Sequence, residues 1–108
     1  MRAVQAIGAF LALIGALSLP ASAASSDNRP AIVELFTSQG CSSCPPADTL
    51  MAELTRARPD VIVLSLPVDI WDYNGWKDTL ARPEFSQRQK HYSQSRGDHQ
   101  VYTPQIVV

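Results

Sequence analysis

Two apolar, β-branched runs, Ala31 to Thr37 and Val61 to Leu66, flank one amphipathic segment, and the only two cysteines of the chain lie where the first run gives way to it. Nothing else in the sequence constrains the fold as much. A short run with few polar interruptions suits a strand covered on both faces. Strand, helix and strand in that order make a βαβ unit with parallel strands and a right-handed crossover. The helix is predicted over Pro45 to Arg58, where Ala47, Leu50, Met51 and Leu54 form one stripe, Asp48 comes early, Arg56 and Arg58 come late, and Pro59 stops it. Cys44 is expected as N-cap with Pro45 at N1, and Pro45 is expected to push Cys44 away from helical angles.

The cysteines belong to Gly40-Cys41-Ser42-Ser43-Cys44-Pro45-Pro46. A thiol on a strand-to-helix turn feels the positive end of the helix dipole, which favours thiolate. Two sulfurs three residues apart can also close a tight disulfide. Cys41 precedes the helix and is the natural nucleophile, and Cys44, covered by its own turn, is the resolving partner. A purely structural disulfide is the bland alternative, but so short a loop gives little entropic benefit. The Ser-Ser dipeptide says little about redox direction. Glu34 is the one charge in the first run, so it must sit at an edge, be paired, or have a raised pKa. It is either a buried proton acceptor for the resolving thiol or an edge glutamate with no role in exchange.

Met1-Arg2, the apolar run Ala3 to Leu19 and Pro20-Ala21-Ser22-Ala23 read as a secretory signal over 1–23, with a membrane anchor as the alternative. Cleavage there leaves about 85 residues, enough for one small domain. Export makes a disulfide plausible. Removing Arg2 leaves 8 basic against 10 acidic residues, a balance that recruits neither nucleic acid nor an anionic membrane surface. Residues 24–30 read as a flexible lead-in and 31–108 as the domain.

Pro67 to Arg82 is an aromatic and acidic insertion without clear periodicity, leaving the carboxyl end of the second strand, where open parallel sheets bind ligands. Asp69, Trp71 and Trp76 are its candidate substrate-binding residues, with Tyr73 beside them. The alternative is that the aromatics form a satellite core pinning a long loop. Pro83 to Arg96 is predicted as a second helix with Phe85 and Tyr92 inward and its Gln, Arg and Lys outward, ending at Gly97. Val101 to Val108 turns into a third strand. A sheet that stops in an apolar strand leaves unpaired edge groups, so the chain is expected to be incomplete at its C-terminus.

Val33-Glu-Leu-Phe-Thr-Ser-Gln-Gly-Cys-Ser-Ser-Cys-Pro-Pro-Ala-Asp48, Val68-Asp with Trp71-Asp72, Gly75-Trp-Lys-Asp78, Arg88-Gln89 and Val101-Tyr-Thr-Pro-Gln105 together resemble the secreted thioredoxin-like family known as domain of unknown function 1223. The likeness covers essentially all of the chain after the signal. It implies an α/β, thioredoxin-like βαβ-αβ core with central parallel strands, in which Pro104 is cis, faces the cysteines, and presents the Thr103 backbone to an incoming chain. Many members have His where this chain has Pro67, so any role of that histidine is missing here. The role implied is exported and redox-linked, with protein thiols or disulfides as partners, no cofactor, and an oligomeric state left open.

Two other classes of function compete. Cys41 and Cys44 supply two soft ligands for copper or zinc, with His91 or His99 as a third, although the thiol pair alone is half a site. Covalent c-type haem needs His after the second cysteine, where this chain has Pro45. A non-catalytic binding module on the same scaffold is the third class, because a fold does not fix a function.

Overall fold

The computed structural model describes residues 28–108. The expected signal, 1–23, and the first part of the lead-in lie outside the described residues. The elements follow in the order β1 (Ala31–Thr37), α1 (Pro45–Ala57), β2 (Val61–Pro67), a 3₁₀ turn (Asp72–Asn74), α2 (Pro83–Arg96) and β3 (Gln105–Val107). This is the expected α/β sequence of elements, and its layout is compatible with a partial thioredoxin-like core.

The sheet has the order β2-β1-β3. β1 and β2 run parallel from Ala31↔Val61 to Thr37↔Pro67, and β3 pairs antiparallel with β1 through Glu34↔Val107, Leu35↔Ile106 and Phe36↔Gln105. β1 is therefore the central strand, and the period of two sorts its side chains between two faces. Val33 and Leu35 pack with Met51 of α1, while Phe36 joins Leu66 and Val68 in a second cluster against Phe85 and Tyr92 of α2. Burying an aliphatic or aromatic side chain of this size is worth about 1.5–3 kcal/mol. These two small clusters hold the helices on opposite faces.

Three local expectations are corrected. Cys44 has φ −78° and ψ −32°, helical angles despite the following proline. Its N–H donates to the Cys41 carbonyl at 3.2 Å and its carbonyl accepts from Asp48 N–H at 3.0 Å, so a closed turn on one side and the first helical bond on the other outweigh the steric bias. Leu50 is half-exposed rather than part of the core stripe. The contact with the sheet centres on Met51, with Ala47 and Leu54 one turn to either side, and Leu50 lies about 100° around the helix from Met51.

The third correction concerns α2. Gln89, expected to face solvent, is wholly buried; its Nε2 donates to the Tyr102 carbonyl and to Gln105 Oε1, each at 2.8 Å. The apolar stripe of this helix is thin because part of its inward face is polar and hydrogen-bonded. Val101 to Thr103 stay outside β3, which starts only after Pro104, a residue with no N–H to give a ladder. Gly97 ends α2 as expected, at φ +82°, with its N–H on the Ser93 and Gln94 carbonyls.

Candidate functional site

Cys41 and Cys44 form a disulfide with Cα atoms 5.4 Å apart. Both are buried, Cys44 at 0 % exposure and Cys41 at 6 %, so what little access there is lies on Cys41. The turn that presents it is built from β1 onward. Cys41 N–H donates to the Ser38 carbonyl at 3.1 Å, and Gly40 N–H donates to Ser38 Oγ at 3.0 Å. Ser43 Oγ lies 3.5 Å from Cys41 Sγ. A sulfur in a disulfide carries no hydrogen, so the hydroxyl is the donor.

The insertion after β2 closes on this turn through its acids. Asp78 is 1 % exposed; its Oδ2 accepts Gln39 N–H at 2.9 Å and its Oδ1 accepts Leu80 N–H at 2.8 Å. Asp72 Oδ1 accepts Asp78 N–H at 3.1 Å. Asp69 is engaged with α2: Ser86 Oγ donates to its carboxylate, and its own N–H donates back to Ser86 Oγ at 3.1 Å. Asp69 is therefore a structural acceptor here. The loop is pinned by carboxylates on amides and hydroxyls rather than by an aromatic satellite core.

Trp71 is the aromatic that reaches the site. Its Nε1 donates to Thr103 Oγ1 at 2.7 Å, and its Cβ lies 3.2 Å from where a Cβ on Gly40 would stand. Any side chain at position 40 would crowd it. Thr103 precedes Pro104 through a cis peptide bond. Trp71 thus ties together the turn before Cys41 and the loop before β3. Tyr73 lies against it with ring centroids 6.3 Å apart but is 77 % exposed, and Trp76 is also exposed. The structure brings Cys41, Cys44, Trp71 and Thr103 into one neighbourhood and leaves Trp76 at the surface.

Glu34 is placed elsewhere. It lies in the central strand at 2 % exposure, which removes the edge reading, and it points to the α2 face, opposite the face covered by α1. Arg88 donates to its Oε1 through Nε at 2.9 Å and Nη2 at 2.5 Å, and Arg88 also donates to the Tyr92 hydroxyl at 3.0 Å. Burial pushes the Glu34 carboxyl up, but Arg88 and the Tyr92 hydroxyl more than offset it, and the group sits below its ordinary value. A carboxylate held ionised on a guanidinium is a poor base, so Glu34 is corrected from proton acceptor to ion-pair partner.

Sequence reasoning passed over Ser43, Asp78 and Gln89. Asp78 and Gln89 stood in the motifs that carried the family likeness, but no periodicity marks a polar residue as buried. For the metal alternative, no three His, Cys, Asp or Glu side chains gather among the described residues to hold an ion. His91 lies on the exposed side of α2 and His99 in the turn beyond it. Among the described residues, no helix is long and apolar enough to cross a membrane.

Comparison with known proteins adds three findings. The model of a family described as protein of unknown function, DUF1223, matches residues 32–108. The crystal structure of a protein from Agrobacterium tumefaciens is 50 % identical, with a TM-score of 0.66; the match covers 70 % of this chain and 34 % of that one. This chain thus spans about a third of that protein's length. No curated protein matches.

Proposed function

The chain belongs to the DUF1223 family, and we propose that in this member the Cys41–Cys44 pair exchanges electrons with protein thiols or disulfides from an exported, thioredoxin-like scaffold. One observation carries the proposal: the disulfide sits at the N-terminus of a 13-residue helix, with Cys44 sealed and the little remaining access lying on Cys41. A bridge between residues three apart contributes only about 2 kcal/mol of loop entropy, the low end for disulfides, so stability is a weak reason for having it.

Exchange begins at Cys41. A client thiolate attacks Cys41 Sγ, the Cys41–Cys44 bond breaks, and Cys44 leaves as thiolate while a mixed disulfide forms. The client's second thiolate then attacks its own sulfur in that mixed disulfide and releases Cys41. The client is oxidised by two electrons to a disulfide, the protein pair is reduced to the dithiol form, and the protons released by the client thiols pass to the Cys44 and Cys41 sulfurs or to solvent. Run in reverse, the same steps reduce a client disulfide; the relative potentials decide. Helix dipole and the Ser43 hydroxyl both favour thiolate at Cys41. Thr103, held by Trp71 and followed by cis Pro104, supplies backbone beside the turn for an extended client.

The test is trapping. Cys44→Ser should accumulate a mixed disulfide on Cys41 when mixed with a disulfide-bearing client such as insulin, and Cys41→Ser should accumulate none. If wild type and Cys41→Ser are equally inert toward insulin, the proposal is wrong.

A further inference from the structure

Gln89 of α2 is wholly buried, and its amide reaches the chain on both sides of Thr103-Pro104. Nε2 donates to the Tyr102 carbonyl, 13 residues on, and to Gln105 Oε1, 16 residues on, each at 2.8 Å. A carbonyl can only accept, so the amide nitrogen must face Tyr102, and Gln89 Oε1 is left buried without a partner. An unmade buried acceptor is a cost to the fold. What the amide supplies, and an apolar side chain of the same volume cannot, is a pair of bonds that fixes the main chain just before Thr103 and the side chain just after Pro104. From the insertion, Trp71 Nε1 holds the Thr103 hydroxyl at 2.7 Å, and Trp71 itself abuts Gly40 beside Cys41. Thr103 is thus held from two elements in the neighbourhood of the disulfide.

We infer that Gln89 is a positioning residue for exchange with polypeptide clients: it holds the Thr103 backbone where an extended client engaged at Cys41 can pair with it. The inference rests on the redox reading above and adds the residue that fixes the client-facing backbone. Gln89 acts through the loop and not on the thiols, since its hydrogen bonds go to Tyr102 and Gln105. A small disulfide has no backbone to pair, so its reaction at Cys41 does not call on the loop. A polypeptide disulfide does, because a displaced partner segment slows attack even when the nucleophile is unchanged. The signature is therefore selective, a loss toward polypeptide disulfides with none toward small ones.

The experiment mixes the reduced full chain with insulin and, separately, with hydroxyethyl disulfide, and reads the bimolecular rate constant for each. Gln89→Met, close in volume and without a donor, should react about tenfold more slowly with insulin and at the wild-type rate with hydroxyethyl disulfide. Val63→Ala, which trims the core on the α1 side instead, should keep the wild-type ratio of the two rates although it is less stable. Gln105→Met removes one of the two contacts and should lower the ratio in the same direction; it carries the test if Gln89→Met does not fold. The inference is overturned if Gln89→Met, or Gln105→Met in its place, keeps the wild-type ratio or slows both reactions alike, or if Val63→Ala lowers the ratio as well. A wild-type chain inert toward insulin would overturn the redox reading and this inference with it, so the wild-type rate tells the two failures apart.

Discussion

The indole Nε1 of Trp71 donates to the hydroxyl of Thr103 across 2.7 Å, joining two loops that are 32 residues apart in the chain. The bond matters because Trp71 also abuts Gly40, one residue before Cys41. Trp71→Phe keeps the packing but deletes the donor, and should cost about 1 kcal/mol in denaturant unfolding. Thr103→Val should cost a similar amount. The double variant should add little to either single change, because both remove one bond. Full additivity would show that the two residues act independently.

Ser43 should tune the thiol rather than the fold. Its hydroxyl lies 3.5 Å from Cys41 Sγ and stabilises the thiolate more than the disulfide. Ser43→Ala should therefore raise the Cys41 thiol pKa and lower the reduction potential by about 20 mV, the equivalent of a hydrogen bond of roughly 1 kcal/mol. Alkylation rate against pH measures the first and equilibration with glutathione the second.

Asp78 should matter to the turn despite being far from it in sequence. Asn at this position supplies only one carbonyl oxygen, so either Gln39 or Leu80 N–H loses its acceptor. Asp78→Asn should destabilise by about 1 kcal/mol, the loss of one part-buried hydrogen bond. Amide hydrogen exchange at Gln39 or at Leu80 should quicken; unchanged exchange at both would show that Asp78 does not hold the turn.

Arg88 and Glu34 give a sign that can be read against pH. Glu34 is below its ordinary value in the folded chain. Its contribution is therefore complete above the unfolded pKa of about 4.3, and is lost as the pH falls through the lower folded value. Arg88→Ala leaves burial, the largest effect on Glu34, opposed only by the Tyr92 hydroxyl, which lifts the folded pKa above the unfolded one. That group then opposes folding at neutral pH, and the opposition fades on acidification. The variant should be less stable by about 2 kcal/mol at pH 7, short of the 3–5 kcal/mol for a fully buried pair because Arg88 is half-exposed. The deficit should shrink as the pH falls toward the unfolded value and on below it in unfolding titrations; a constant deficit would show that Glu34 does not titrate as described.

The skeleton was legible because it follows from period and punctuation. The apolar runs gave β1 and β2, the Pro59 stop and the Gly97 terminus bounded both helices, and the placement of Cys44 at the helix start followed from Pro45. What escaped was polar burial. Glu34 was readable as an anomaly, but its partner Arg88 lies 54 residues on, and which face it took depended on where α2 packed. Gln89 and Asp78 carry no periodic signal of burial, since each looks like a surface residue until a tertiary partner arrives, and the exposed Ser43 meets Cys41 only through the local shape of the turn. In the aromatic insertion Trp71 reaches the site and Trp76 stays at the surface, while the carboxylates that fasten the loop drew no notice.

The reduction potential of the Cys41–Cys44 pair tests the redox proposal most directly. Equilibrated against glutathione or dithiothreitol and read by alkylation, the pair should lie between about −270 and −120 mV, the span of dithiol exchange proteins. A potential below about −300 mV, with no mixed disulfide formed at Cys41, would mark the bond as structural and contradict the account.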